Sequence, residues 1–171
     1  MSEQSTEGKY IPLIGDVEDY VGRSPWDFYS WGHIDMGIFS FLMLSLIITV
    51  PSFYLGLSAR SSIWWWLIFV LTLMIGIIWE ILENSVLYYW GLRPGGLDSA
   101  KNCLWDIIFV ILGGGIMWIT QFIIMGILNQ KGTWFYIVGI IIFFIILVCY
   151  LIGYFITNEN TKKARAARKS A

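Results

Sequence analysis

Four long apolar runs separated by short polar connections constrain the fold of this chain more than any other feature. The runs are Ile34–Leu57, Ile63–Trp90, Cys103–Leu128 and Trp134–Ile156. Each is long enough for a helix to cross the ~30 Å hydrocarbon core of a bilayer, which takes about 20 residues. The runs are apolar on all sides over most of their length, as lipid requires. The sequence therefore predicts four transmembrane helices.

Composition agrees with a membrane protein. The 171 residues are 57% hydrophobic and only 13% charged, whereas a soluble domain carries about 25% charged residues. The short connections predict an up-down-up-down bundle, so the fold class is an all-α, four-helix polytopic membrane protein. We divide the chain into a polar N-terminal segment (1–23), a membrane domain (24–157) and a basic cytoplasmic tail (158–171). The Ser24-Pro25 pair predicts that a short interfacial helix precedes the first span.

Basic residues predict the orientation. Only Arg60 and Lys131 fall on one side of a four-span arrangement, and the other side carries Lys9, Arg23, Arg93, Lys101, Lys162, Lys163, Arg165, Arg168 and Lys169. This bias predicts a multi-pass protein of a prokaryotic plasma (inner) membrane with both termini in the cytoplasm. The expected environment is the lipid bilayer, with membrane-protein partners or a homo-oligomer as further expectations. No nucleic-acid partner is expected, because the basic residues do not form a nucleic-acid-binding face.

Polar residues that are costly in lipid gather on the first three predicted spans. Charged groups cost about 2.5–3.5 kcal/mol each at the centre of a membrane helix on insertion scales. Residues three or four positions apart share a helix face, and the predicted topology puts all three groups near the cytoplasmic side. The groups are His33 on the first span, Glu80, Glu83 and Asn84 on the second, and Asp98, Asn102 and Asp106 at the start of the third.

Three interpretations of this cluster are open. In the first, His33, Glu80, Asn102 and Asp106 bind a divalent metal (zinc, iron, manganese or magnesium), and Glu83 acts as a catalytic base. In the second, the acids relay protons or bind a cationic substrate. In the third, the acids are interfacial or pair with Arg93 and Lys101 as structural contacts. Asp35 is a weaker candidate, because a side chain two residues from His33 points away from it on a helix.

The same polar cluster is the basis for three expectations about function. The first expectation is a metal-dependent enzyme that acts on a lipid-linked substrate from the inner leaflet. The alternative is a non-catalytic subunit of a larger membrane complex, and proton or small-cation transport is the third choice. Cys103 and Cys149 are expected to be packing residues, with neither a disulfide nor a thiolate metal site.

Two motifs carry a family resemblance. The segments Trp79–Ser85 (WEILENS) and Asp98–Asp106 (DSxxNxxxD) resemble the signature of an uncharacterised family of small bacterial membrane proteins that is VanZ-like in pattern. His33 and Gly37 match the His-containing motif that opens the family's first span, and Met36 stands where the family has a second histidine. The resemblance implies a fold of four or more spans and a shared polar site, and it implies no particular reaction.

Overall fold

The prediction of an all-α chain with four membrane-spanning helices is confirmed. The structure, a computed structural model, describes residues 26–55, 62–92 and 97–170, and these contain no strand. Its helices are α1 (Tyr29–Leu55), α2 (Ser62–Leu82), α3 (Ala100–Gln121) and α4 (Gly132–Ser170). All four are long and apolar enough to cross a membrane by length and composition. The polar segment 1–23, the Ser24-Pro25 pair and Arg93 lie outside the described residues.

Two helices continue as π-helical segments, which the sequence pattern did not predict. Glu83–Leu87 extends α2, and Phe122–Ile127 extends α3. A π-helical turn has an i→i+5 hydrogen bond, so it shifts the register of the side chains that follow. The first segment begins at Glu83, one of the predicted site residues.

The start of α1 is set by side chains that bond to the backbone. Trp26–Phe28 form a bend and a turn that lead directly into the helix. The Asp27 carboxylate accepts a hydrogen bond from the Tyr29 backbone N–H (2.9 Å), and the Ser30 hydroxyl accepts one from the Asp27 N–H (3.2 Å). These bonds satisfy backbone donors that the first turn of a helix leaves without partners.

The start of α3 lies three residues before Cys103, where the predicted apolar run begins. Ser99 is the N-cap, and its hydroxyl accepts a hydrogen bond from the Asn102 N–H (3.1 Å). Because the helix begins at Ala100, Asp98 lies in the preceding connection. Its backbone N–H donates to the Asn84 side-chain oxygen (3.0 Å), which ties this connection to the end of α2.

Close packing of α1 against α3 forms the centre of the bundle. A Cβ atom added to Gly37 would overlap the carbonyl oxygen of Val110, and one added to Gly113 would overlap the carbonyl oxygen of Ile34. The two backbones therefore touch, as small residues allow in membrane helix pairs. The contact holds His33, one turn before Gly37, near the start of α3.

The outer helices flank this pair. Helix α2 packs against both α1 and α3, whereas α4 packs mainly against α1. Helix α4 has 39 residues, which at 1.5 Å per residue is about 58 Å. Its basic end, predicted as a tail from residue 158, is thus a helical continuation of the fourth span.

Candidate functional site

The imidazole of His33 lies between two carboxylates from different helices. Its Nδ1 atom is 3.8 Å from Oε1 of Glu80 on α2, and its Nε2 atom is 3.6 Å from Oδ1 of Asp106 on α3. The three residues are 8%, 6% and 3% exposed, respectively. The structure thus brings together acids from two spans and the chain's single histidine, at the bundle end where α1 and α3 begin and α2 ends.

Asp106 is positioned by the turn before it. Asn102 and Asp106 are four residues apart on α3, both are buried, and the Asn102 amide donates a hydrogen bond to Oδ2 of Asp106. The amide nitrogen and Nε2 of His33 thus approach different oxygens of the same carboxylate. Asn102, predicted as a metal ligand, is here a hydrogen-bond donor that orients Asp106.

Glu83 completes a group of possible metal ligands with His33 and Glu80. One ligand atom each from His33, Glu80 and Glu83 lies within 4.8 Å of the other two. Ligand atoms around a tetrahedral zinc ion at about 2.1 Å would be roughly 3.4 Å apart. A contraction of a few tenths of an ångström would therefore bring Nδ1 of His33 and Oε1 of Glu80 to coordinating distance.

Asn84 is a central residue of this region that the predicted ligand and base assignments missed. Its amide nitrogen is 3.4 Å from Oε2 of Glu80, 3.3 Å from Oδ2 of Asp98 and 3.5 Å from Sγ of Cys103. It also donates to the Glu80 backbone carbonyl (3.1 Å). Asn84 therefore holds the carboxylate of Glu80 on the side away from His33. The spacing of four between Glu80 and Asn84 was the available sequence signal.

Cys103 is the other residue that sequence reasoning did not assign to the site. It is a free, half-buried thiol on the first turn of α3. Its Sγ atom lies within 4.8 Å of ligand atoms of Glu80 and Asp98. The amide nitrogen of Asn84 lies 3.3–3.5 Å from one atom of each of these three residues. Asn84 therefore lies at the centre of this second group.

The charged form of this cluster is energetically unfavourable unless a cation or a proton compensates the negative charge of its carboxylates. Glu80 and Asp106 are buried in membrane-spanning helices, and Glu83 is half-buried. Lys101, one of the two basic residues expected to pair with these acids, is exposed, and the ion pairs seen among the described residues do not include it. Several buried carboxylates are stable together only when protons or a bound cation reduce their charge.

Asp35 lies on a different side of α1, as its spacing from His33 predicts. Gly32, three residues before it, packs against the Tyr150 ring of α4, and Phe39, four residues after it, packs against Phe143 of α4. Residues at these spacings share a helix face. Asp35 is buried, and its Oδ1 atom has no hydrogen-bond partner within the described part of the chain. It is therefore a membrane-buried carboxylate outside the His33 cluster.

Comparisons of this chain with family models, curated proteins and solved structures give no match. The resemblance to VanZ-like proteins therefore rests on the residues of the two motifs and on His33 and Gly37 alone. It stays a prediction, and the chemistry of the site has to be argued from its own geometry.

Proposed function

We propose that this protein is a membrane enzyme that binds one divalent metal ion through His33, Glu80 and Glu83 and hydrolyses a lipid-linked substrate. The observation that carries the proposal is the grouping of these ligand atoms within 4.8 Å of one another, with Glu80 facing Nδ1 of His33 and Asp106 facing Nε2. Imidazole and carboxylate donors suit zinc, iron and manganese. A metal would also neutralise acids that are otherwise costly inside the bundle.

The remaining polar residues have positioning roles in this proposal. Histidine ligands of metals commonly donate their second ring N–H to a carboxylate, which fixes the tautomer and the ring orientation. Asp106 is placed to accept this hydrogen bond from His33, and Asn102 orients Asp106. Compared with the prediction from sequence, Glu83 becomes a ligand rather than the base, and Asp106 and Asn102 become positioning residues.

The chemistry follows from the number of protein ligands. With His33, Glu80 and Glu83 as its three protein ligands, a bound ion would keep one coordination position for water, and the chemistry that it would supply is the activation of that water for hydrolysis. The protein's own contribution is to fix His33, Glu80 and Glu83 within the packed ends of α1, α2 and α3. Asn84 and Asp106 hold these ligands from opposite sides.

The surroundings of Glu83 support a substrate that arrives through the bilayer. Glu83 is half-buried, and no residue of its π-helical segment is buried. Ile81 and Leu82, just before it, are exposed apolar side chains on a membrane-spanning helix. The route to Glu83 from this side is therefore lipid-facing. The excess of basic residues at this end of the bundle supports the cytoplasmic leaflet as the substrate's location.

A proton relay is the second candidate function. It is favoured by the position of His33, whose two ring nitrogens face different carboxylates at 3.8 and 3.6 Å. Imidazole can take a proton at one nitrogen and release one from the other. Such a protein would move protons between Glu80 and Asp106 and would need no metal.

A metal titration separates the two functions. Protein stripped with chelator would be titrated with Zn²⁺ and Mn²⁺ by calorimetry, beside Glu80→Gln, Glu83→Gln and Asp35→Asn variants. We expect one ion per chain in the parent and in Asp35→Asn, which removes a buried carboxylate outside the site, and no saturable binding in the other two. Equal binding in all four proteins, or none in a folded parent, would refute the metal site. In the second case the proton relay would become the leading function.

Turnover is measured on the same proteins. The probe is a long-chain phosphoester with a fluorescent leaving group, incorporated in bicelles. We expect metal-dependent release of the fluorophore by the parent and Asp35→Asn, and a loss of at least about 100-fold in Glu80→Gln. Metal binding without any turnover of this probe or of a matched carboxylic ester would retain the site and reject hydrolysis.

A further inference from the structure

Helix α4 has one face that is exposed along its whole length and that changes from apolar to cationic. Positions spaced seven residues apart return to nearly the same helix face. On α4 this spacing links six exposed side chains: Trp134, Ile141, Val148, Phe155, Lys162 and Lys169. The first four are large hydrophobic side chains that are 52–61% exposed. The change to positive charge falls between Phe155 and Lys162.

Close contacts with α1 define the opposite face of α4. A Cβ atom added to Gly139 would meet Leu42, and one added to Gly153 would meet Phe28. Lys162 follows Gly153 by nine residues, or two and a half helical turns, so it lies on the side of α4 that points away from α1. The same contacts show that the two helices are antiparallel, so the C-terminal end of α4 lies where α1 begins. The cationic part of the exposed face is therefore at the same end of the bundle as the His33 cluster.

The spacing along α4 brings the first cations to the level of the lipid headgroups. Lys162 lies about 10–11 Å beyond Phe155 along the helix axis. The headgroup layer is about 5–7 Å thick on each side of the hydrocarbon core. Long lysine side chains can bend back toward the membrane while their stems cover apolar surface. The ammonium groups of Lys162 and Lys163 can therefore reach the phosphates of this layer.

Positive charge dominates this part of the chain. Residues 158–171 contain five basic residues and one acidic residue, Glu159. The Nζ atom of Lys162 is 3.4 Å from Oε1 of Glu159, and the two side chains are 64% and 60% exposed. An exposed ion pair of this kind is weak, so the ammonium group can exchange this carboxylate for a phosphate. Lys163 is exposed as well.

From this arrangement we propose that Lys162 and Lys163 bind the headgroups of anionic phospholipids in the leaflet at the His33 end of the bundle. Anionic phosphates complement two adjacent ammonium groups, and clusters of Lys and Arg that directly follow a transmembrane helix attract such lipids. Phe155 and the apolar side chains before it on the same face contact the acyl chains. One continuous face of α4 thus meets both parts of the lipid. This binding depends neither on the proposed metal ion nor on hydrolysis.

Lipid retention tests the proposal. The full-length protein would be reconstituted in vesicles of equal amounts of phosphatidylglycerol and phosphatidylcholine and extracted in mild detergent, and its retained lipids would be counted by mass spectrometry. Each Lys near an anionic membrane surface contributes about fivefold to binding. We therefore expect the parent to retain phosphatidylglycerol at least about fivefold over phosphatidylcholine. The Lys162→Gln/Lys163→Gln variant should retain the two lipids almost equally.

A second double variant is the matched control. Lys101→Gln/Lys131→Gln also removes two exposed lysines, one from each end of the bundle, and it should keep the preference of the parent. Thermal midpoints verify that both variants are folded. An equal loss of preference in the two variants would show that total charge rather than this face attracts the lipid, and it would overturn the proposal.

Two further results would also overturn the proposal. Equal retention of both lipids by the parent would reject the lipid and favour a soluble acidic partner for these lysines. The preference should disappear when the vesicles are extracted in about 1 M salt, where the Debye length is about 3 Å. A preference that persists in this salt would contradict recognition of the headgroup by charge.

Discussion

At the scale of single residues, His33 explains most of the proposed chemistry. Glu80 and Asp106 approach different nitrogens of its ring, so the two carboxylates cannot have equivalent roles toward one metal ion. Glu80 belongs to a group of possible ligand atoms that includes Glu83 and not Asp106, whereas Asp106 is held by Asn102. The roles of ligand and positioning residue follow from this asymmetry.

The asymmetry predicts unequal effects of two similar substitutions. Asp106→Asn should weaken metal binding by about 10–100-fold, the usual effect of losing the partner of a metal-bound histidine, whereas Glu80→Gln should abolish it. Equilibrium titration with Zn²⁺ measures both, and the thermal midpoint of each variant verifies folding. If Asp106→Asn abolished binding and Glu83→Gln had no effect, the metal would lie on the Asp106 side of His33.

At the scale of helices, the sequence predicted the spans better than their ends. The four apolar runs correspond to four helices because length and hydropathy alone determine which segments can span a bilayer. The start of α3 depended on the Ser99 cap, a local hydrogen bond that left Asp98 outside the helix. The π-helical segments depend on tertiary packing, and the periodicity of the sequence does not predict them.

The packing of α1 on α3 gives a prediction with an internal control. Gly113→Ala should lower the thermal midpoint by roughly 2–10 °C, because its new methyl group meets the Ile34 carbonyl and overpacking costs about 1–3 kcal/mol. Gly115→Ala, two positions along the same helix, should have little effect, since its nearest neighbour would be a Phe69 ring carbon at 3.9 Å. Equal midpoints for the two variants would contradict the backbone contact.

The sequence identified several residues that meet in the candidate site, but it did not predict how they are arranged. Spacings of three and four identified Glu80, Glu83, Asn102 and Asp106, because residues on one face of a buried helix meet the same neighbours. Which nitrogen of His33 faces which acid depends on how α2 and α3 pack around α1. The central position of Asn84 depends equally on the connection that brings Asp98 to it.

At the scale of the whole molecule, the bundle has two unlike halves. Ionisable groups gather where α1 and α3 begin, and the other half contains neutral polar side chains such as Ser45, Thr72 and Gln121. The exposed basic residues Lys162, Lys163 and Arg165 lie on the α4 extension beyond the fourth apolar run. A helix of about 58 Å exceeds a hydrocarbon core of about 30 Å, so this extension projects beyond the bilayer core at the end that holds the cluster.

The distribution of these charges predicts the orientation of the protein, which can be tested in intact cells. In a chain with Cys103→Ser and Cys149→Ala, a single cysteine would replace Gln130 in the connection between α3 and α4, or Ala166 near the end of α4. We expect an impermeant maleimide to label the first position from outside, and the second only after permeabilisation. The reverse pattern would place the His33 cluster at the outer face.

The central claim is that a metal ion is bound on the Nδ1 side of His33, and anomalous diffraction tests it most directly. Crystals of the parent protein soaked with Zn²⁺ would be measured on both sides of the zinc absorption edge. We predict one edge-dependent peak per chain, about 2.0–2.2 Å from Nδ1 of His33 and from carboxylate oxygens of Glu80 and Glu83. No peak at these residues, or a peak bound instead by Nε2 of His33 and Asp106, would contradict the claim.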